Sequence, residues 1–376
     1  AGVGRRWQTG PMGSSIYLDR LDRVRKAMAD KGVDVLLLSV GRDLPYLTGY
    51  EAMPLERLTM LVVPRDGGAT LVIPRLEAPR VVEQPGAFSL RAWEETDDPS
   101  AIVADLVGPA ETAAVGDQMW ARFLVELLPR LAHTSFRRAV DVVGPLRMVK
   151  DAAEVDALRA AGAAADRVAD QLHRGEIPLV GRTEAQVSAD ISARLLHEGH
   201  DKVNFAIVAA GENAASPHHH AGSRVIAAGE IVLCDFGGTM DGYCSDTTRC
   251  VFTGDVPAEI GEAYAVLHEA QQASVASATV GTPCEDVDRA ARRIITGAGY
   301  GELFVHRTGH GIGMEEHEDP YIIEGNDRPL APGHAFSVEP GIYLPGRWGM
   351  RLEDIVVATD AGPEALNASD HGLVSV

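Results

Sequence analysis

The chain has 376 residues, 45% of them hydrophobic and 23% charged, the make-up of a folded globular protein with more apolar material than one ordinary core takes up. Its 34 Lys and Arg against 54 Asp and Glu leave a net charge of −20, a field that repels phosphate backbones and acidic lipid surfaces, so neither nucleic acid nor membrane is an expected partner. Apolar runs such as VDVLLLSV are far short of the ~20 residues that span a bilayer. The opening AGVGRRWQTGPMGSS lacks the apolar core of a signal peptide. Cys234, Cys244, Cys250 and Cys284 form no CxxC pair, so free thiols and a cytoplasmic setting are expected.

At about one domain per 150 residues the length predicts two. In YLDRLDRVRKAMADKG, Leu18, Leu21, Val24 and Met28 recur at helical spacing and Gly32 ends the run, after which VDVLLLS reads as a buried strand. RLTMLVVP and GATLVIP, separated by RDGG, read as a hairpin, and strand and helix candidates alternate as far as RRAVDVVGPLRMVK. Residues 1–148 are therefore expected to form a smaller α/β domain.

Asp151 with Glu154 predicts a capped start to the alanine-rich helix that follows, and Thr183 with Gln186 predicts a second, closed by Gly199. AEIGEAYAVLHEAQQASVASA and CEDVDRAARRIITGAG read as two more helices. Among them lie the strand candidates VNFAIVAA, EIVLCDFGG, GYCSDTTRCVF, HAFSVEPGIYL and MRLEDIVVAT. Helices grouped with antiparallel strands predict an α+β domain over 149–376.

The stretch FVHRTGHGIGMEEHEDPY gathers three histidines among glycines. His306 and His310 stand four apart, as in a helical zinc motif. Gly309, Gly311 and Gly313 disfavour a helix by about 1 kcal/mol each, so a glycine-rich loop presenting one or two histidines is expected. Acidic partners have to come from elsewhere in the chain. Asp235 follows IVLC, Asp246 lies in YCSDTTRCVF, Glu339 follows AFSV, and Glu353 lies in MRLEDIVVA. A single aspartate ordinarily reads as a turn residue, yet an unpartnered carboxylate in a buried strand costs several kcal/mol. Four carboxylates with one imidazole are hard donors suited to divalent Mn, Co, Fe or Zn. Four negative charges match two divalent cations, and such a pair converts a water into a nucleophilic hydroxide. That is the chemistry of a hydrolase.

LCDFGGTMDGYCSDTTR, HRTGHGIGMEEHEDPY, FSVEPGIYLPG and MRLEDIVV, in that order, resemble the metal-binding signature of the Xaa-Pro peptidases, prolidase and aminopeptidase P, which are M24 metallopeptidases. The likeness covers about residues 150–370. DLPYLTGY and the LRMVKDAAEVDALRAA junction resemble a creatinase/prolidase-type N-terminal domain. The resemblance implies a methionine aminopeptidase-like, pita-bread fold for the second domain, with a site for two divalent ions, Mn2+ foremost and Co2+, Zn2+ or Fe2+ as alternatives. It makes Asp235 a bidentate ligand of one ion, Asp246 and Glu353 bridges, and His310 and Glu339 ligands of the other, with Glu339 also accepting the proton of the attacking water. In GENAASPHHHAGSR it points to His218 as a substrate-facing histidine, with His219 the second choice; His317 is the other substrate-facing histidine and Arg351 braces the carboxylates.

The activity so implied is hydrolysis of the Xaa-Pro bond of dipeptides by a homodimer, through a hydroxide bridging the two metals. The alternatives are an aminopeptidase P acting on longer peptides, a creatinase-like amidinohydrolase that dispenses with metal, and a non-catalytic binding protein. Cys244, two residues before Asp246, is expected to be a packed neighbour, and His306 a supporting or loop residue. Glu315, Glu316, Glu318 and Asp319 are expected to form a solvated cluster.

Overall fold

The computed structural model describes residues 16–82 and 84–376, so the opening AGVGRRWQTGPMGSS, expected to carry no signal peptide, lies outside the described residues. The chain divides into two compact units, one ending at Arg147 and the other running Met148–Val376.

In the first, α1 (Ile16–Lys31) buries Leu21, Val24 and Met28 and stops at Gly32, whose φ of 63° suits a residue without a side chain. There follow β1 (Val35–Leu38), α2 (Asp43–Thr48), β2 (Met60–Pro64), β3 (Ala69–Pro74), β4 (Phe88–Trp93), α3 (Pro99–Val107), β5 (Thr112–Val115), α4 (Ala121–Leu127), β6 (Ser135–Arg138) and α5 (Val140–Met148). β2 and β3 pair antiparallel across the expected hairpin. Among the described residues the sheet runs β4-β3-β2-β1-β5-β6, with β5 parallel to β1 and β6 parallel to β5.

The second unit opens with α6 (Ala152–His173) and α7 (Glu184–His197), both capped as the sequence predicts: Asp151 accepts from Glu154 N at 2.9 Å and Thr183 from Gln186 N at 3.1 Å, with the reciprocal bonds also present. Next come β7 (Lys202–Ala210), β8 (Ile231–Met240), β9 (Tyr243–Cys244), β10 (Thr247–Phe252), α8 (Ala258–Ser277) and α9 (Cys284–Gly297). The chain ends through β11 (Gly309–Gly311), β12 (Glu318–Ile322), β13 (Ala335–Val338), β14 (Gly341–Leu344), β15 (Trp348–Arg351), β16 (Asp354–Thr359), β17 (Gly362–Ala365) and β18 (Val374–Ser375). Among the described residues these strands make a sheet β18-β10-β8-β7 with β9 on β8, a sheet β12-β11-β13-β16-β17, and the hairpin β14-β15.

Both faces of β8 are covered. Val232, Cys234 and Phe236 pack on Val168 and Leu172 of α6 and Val187 and Ile191 of α7. Ile231 and Leu233 pack on Leu267 and Ala270 of α8, Ile295 of α9 and Met350. Strand alternation puts Asp235 in the row of Ile231 and Leu233, which is why it interrupts an otherwise apolar run.

Three predicted strands are broken where the sequence reads straight through. GYCSDTTRCVF splits between β9 and β10 at Asp246, HAFSVEPGIYL between β13 and β14 at Glu339, and MRLEDIVVAT between β15 and β16 at Glu353. At Glu339 and Glu353 the chain passes between the β11-β13-β16 sheet and the β14-β15 hairpin, whereas at Asp246 it stays beside β8, which pairs with both β9 and β10; each acid stands at a break. The histidine stretch also differs from expectation: Gly309–Gly311 is a strand between β12 and β13, not a loop. All four cysteines are buried and none is joined in a disulfide, and no helix among the described residues is long and apolar enough to cross a membrane.

His334 shows a pH-dependent element of this packing. It is 2% exposed and its Nδ1 accepts from Ala331 N at 3.2 Å, a bond that requires the neutral ring. Burial, with Lys150 and Arg328 nearby, holds it down at about 4. The unfolded chain, with an ordinary histidine near 6.5, binds a proton that the folded state refuses between about pH 4 and 6.5, so stability rises with pH through that window. His334→Asn, whose amide oxygen still accepts from Ala331, should remove about one proton, ~1.4 kcal/mol per pH unit, from the slope of unfolding free energy measured by urea titration across pH 4–6.5.

Candidate active site

Asp235 lies opposite Ile207 of β7 on one side and Thr248 of β10 on the other. Thr248 in turn forms an isolated bridge with Glu353, and Val338 pairs with Asp354, so Glu339 and Glu353 stand at the same end of β13 and β16. The predicted residues converge on one cavity of about 560 Å3, lined by Asp235, Asp246, His310, Glu339 and Glu353 together with His218, His317 and Arg351. Ligand atoms of Asp246, His310 and Glu353 all lie within 4.8 Å of one another.

The imidazole of His310 is oriented by Gly311 O, 3.1 Å from Nδ1, which aims Nε2 at Glu339 Oε1 (3.2 Å) and Asp246 Oδ2 (3.7 Å). Protonated, Nε2 donates to Glu339; deprotonated, it offers its lone pair to a cation. The flanking glycines are required by the neighbouring strands. A β-carbon at Gly309 would overlap the Ser337 carbonyl oxygen, and one at Gly311 the Asp319 carbonyl. Ser337 connects the two ligand candidates: its hydroxyl accepts from His310 N at 3.0 Å and donates to Glu339 Oε1 at 2.9 Å.

Arg351 is 3% exposed and binds Asp235 Oδ2 through Nη2; its Nε donates to Thr248 Oγ1 at 3.0 Å and lies 3.9 Å from Glu339 and 4.0 Å from Glu353. Thr248 donates its own hydroxyl proton to Glu353 Oε2 at 2.6 Å. Among the described residues, Arg351 is the guanidinium bonded into this group of buried acids. Burial raises Asp246 and Glu353 far above the usual carboxylate range, and the neighbouring acids raise them further; Asp235 is also raised by burial, with Arg351 pulling the other way. Glu339 is pushed up by burial too, but the hydrogen bond and charge of His310 outweigh this and bring it to about 2. Asp235 Oδ1 is buried with no hydrogen-bond partner among the described residues. Crowded oxygens, an orphaned acceptor and an aimed imidazole fit divalent cations.

His317 lies against His310 with ring centroids 3.9 Å apart and the rings tilted by 41°, and burial, with His310 and Arg307 adding to it, lowers it to about 4, so it is neutral near pH 7. His218 lines the cavity, whereas His219 turns to Glu184, with Nε2 2.8 Å from Oε2. His306 also lines the cavity, with Nε2 2.8 Å from the Tyr343 hydroxyl, which accepts from Arg351 at 3.1 Å. The acidic run is less solvated than expected: Glu316 lines the cavity, and Glu318, whose side chain is 9% exposed, pairs with the buried Lys150 at 2.6 Å. That lysine lies 168 residues earlier in the chain, so charge density in the run alone misreads it. Cys244 is a packed neighbour, bonded by Asn204 Nδ2 at 3.6 Å.

Thr248, Ser337 and Tyr343 are supporting residues that no motif in the sequence singles out. Thr248 is two residues from Asp246 and Ser337 two from Glu339, so strand alternation carries the signal for both.

Residues 156–360 match the model of metallopeptidase family M24, and residues 20–149 that of the creatinase/prolidase N-terminal domain. The chain belongs to metallopeptidase family M24. It is 44% identical to the probable dipeptidase PepE of Mycobacterium tuberculosis over 96% of this chain and 97% of that one, and 34% identical to an Xaa-Pro dipeptidase of Lactobacillus helveticus over 94% and 98%. The crystal structure of a prolidase from Thermococcus sibiricus superposes with a TM-score of 0.91 at 35% identity, over 97% of this chain and 100% of that one. This M24 chain thus matches its relatives across both units.

Gly309→Ala should force β11 away from Ser337 and misplace His310. Elemental analysis after loading with Mn2+ should show at least a tenfold weaker retention than the parent chain, whereas Gly297→Ala, where a β-carbon meets open space, should retain the parent's metal content.

Proposed function

We propose that the protein hydrolyses the Xaa-Pro bond of dipeptides, using two divalent ions held by Asp235, Asp246, His310, Glu339 and Glu353. The observation that carries the reading is the convergence of these five side chains from separate parts of the second unit on one cavity, in an M24 chain matched over 94% of its length by a protein named Xaa-Pro dipeptidase and over 97% by one named prolidase. Four carboxylates balance two divalent cations, and Mn2+ suits an oxygen-rich set with one imidazole. When bound, the ions polarise the scissile carbonyl and acidify the water that attacks it.

The chain's own groups complete the chemistry. Glu339, which lines the cavity beside His310, accepts the proton of the attacking water and passes it towards the proline nitrogen, which carries no hydrogen of its own. His218 and the neutral His317 offer N–H groups to the carbonyl oxygen as negative charge develops on it. Arg351 keeps Asp235 in place and offsets the charge of the acids around it. Phe205, Ile207 and Ile323 give the cavity an apolar wall against which a proline ring packs. Four buried cysteines without a disulfide support a cytoplasmic setting, and a homodimer is carried over from the family.

Thoroughly chelated protein should be inactive on Ala-Pro and regain activity with Mn2+ or Co2+; full activity without metal, or turnover of creatine, would overturn the proposal. Ala-Pro should be turned over at least tenfold better than Ala-Pro-Ala. The reverse preference would identify an aminopeptidase P instead.

A further inference from the structure

His218 stands in a segment anchored on either side of it. Before it, the carbonyl oxygen of Pro217, a residue with ring-restricted φ, accepts from Arg351 Nη1 at 3.4 Å. The turn Gly211–Ala215 that leads there lies so close to β15 that a β-carbon at Gly349 would overlap the Ala214 carbonyl oxygen. After it, the His219 ring leaves the cavity and meets Glu184 Oε2 at 2.8 Å.

Glu184 is the first residue of α7, and its side chain is fully buried. It accepts from Ala210 N at 2.9 Å, from Asn213 Nδ2 at 3.0 Å and from Gly222 N at 3.4 Å as well as from His219. One carboxylate thereby gathers the end of β7, the turn and the loop that bears the three histidines. The start of α7 is already capped by Thr183, so these bonds serve the segment rather than the helix. Glu184 has no Lys or Arg in ion-pair contact among the described residues and does not line the cavity. A buried carboxylate so placed is costly unless its acceptors are filled, and His219, next in the chain to His218, is one of the donors that fill them.

We propose that Glu184 and His219 form a positioning pair that fixes the backbone on the far side of His218, so that of the three consecutive histidines His218 alone meets substrate. The proposal rests on the role given to His218 above. With Pro217 held by Arg351 and His219 by Glu184, the His218 side chain keeps only its own rotations, and a displacement of about 1 Å at such a group can lower turnover on the order of a hundredfold.

The test uses the full-length, Mn2+-loaded protein and Ala-Pro. Against the parent, His219→Ala should lower kcat by roughly tenfold while KM changes less than about twofold. His219→Gln, whose amide still donates to Glu184, should recover most of that loss. In a His218→Ala background, His219→Ala should produce no further loss, because it acts through the missing group. Multiplying losses, a Gln variant as poor as Ala, or an undiminished His219→Ala would each overturn the pair. A fully active His218→Ala would instead remove the role of His218 from the proposed function, and the positioning claim with it. Inactive parent protein on every Xaa-Pro substrate would locate the failure in the proposed function itself.

Discussion

Four carboxylates brought out of water beside one another are the constraint on which the second unit depends. Asp235, Asp246, Glu339 and Glu353 are all largely buried, and Arg351 is the guanidinium that faces them. Without further positive charge, burial and mutual repulsion favour protonation of Asp246 and Glu353. Cations remove the conflict, so ion binding and the correct folding of the strand ends are linked. Asp235 sits within β8 and the other three acids where strands stop, and these positions bring side chains from several ladders to one point while the backbone groups of the strands stay paired.

The surroundings are built to resist that repulsion. Thr248 and Ser337 each use one hydroxyl to link two members of the site. Behind them Arg249, fully buried, donates to the Glu353 carbonyl oxygen at 2.7 Å and to Asp354 Oδ1 at 2.8 Å, and Asp354 is held in turn by Gln271 and His371. This network fixes the chain at Glu353 from the side away from the cavity. Beneath it, helices on both faces of β8 supply the apolar packing that keeps the frame rigid.

Much of this was legible in the residues themselves. Caps at Asp151 and Thr183, the hairpin after Met60 and the long helices follow from local rules, because each depends on neighbours within a few positions. The ligand candidates were legible because an acid that interrupts a buried apolar strand is costly unless a cation or a donor meets it. The breaks at Asp246, Glu339 and Glu353 were not, since they depend on how strands distant in the chain pair with one another. Gly309 and Gly311 read as loop signals, yet they serve a strand squeezed between two others.

By itself, then, the sequence determined most of the element types, the division of apolar and polar faces, and the candidate oxygen and nitrogen donors whose order marks the family. Tertiary structure alone decided which of three adjacent histidines enters the cavity, that Glu318 is matched by Lys150, and that Glu184 gathers the loop next to His218. The reason is physical: a side chain's charge and size are local properties, but its direction and partners depend on contacts between segments 35 to 168 residues apart, which no local pattern records.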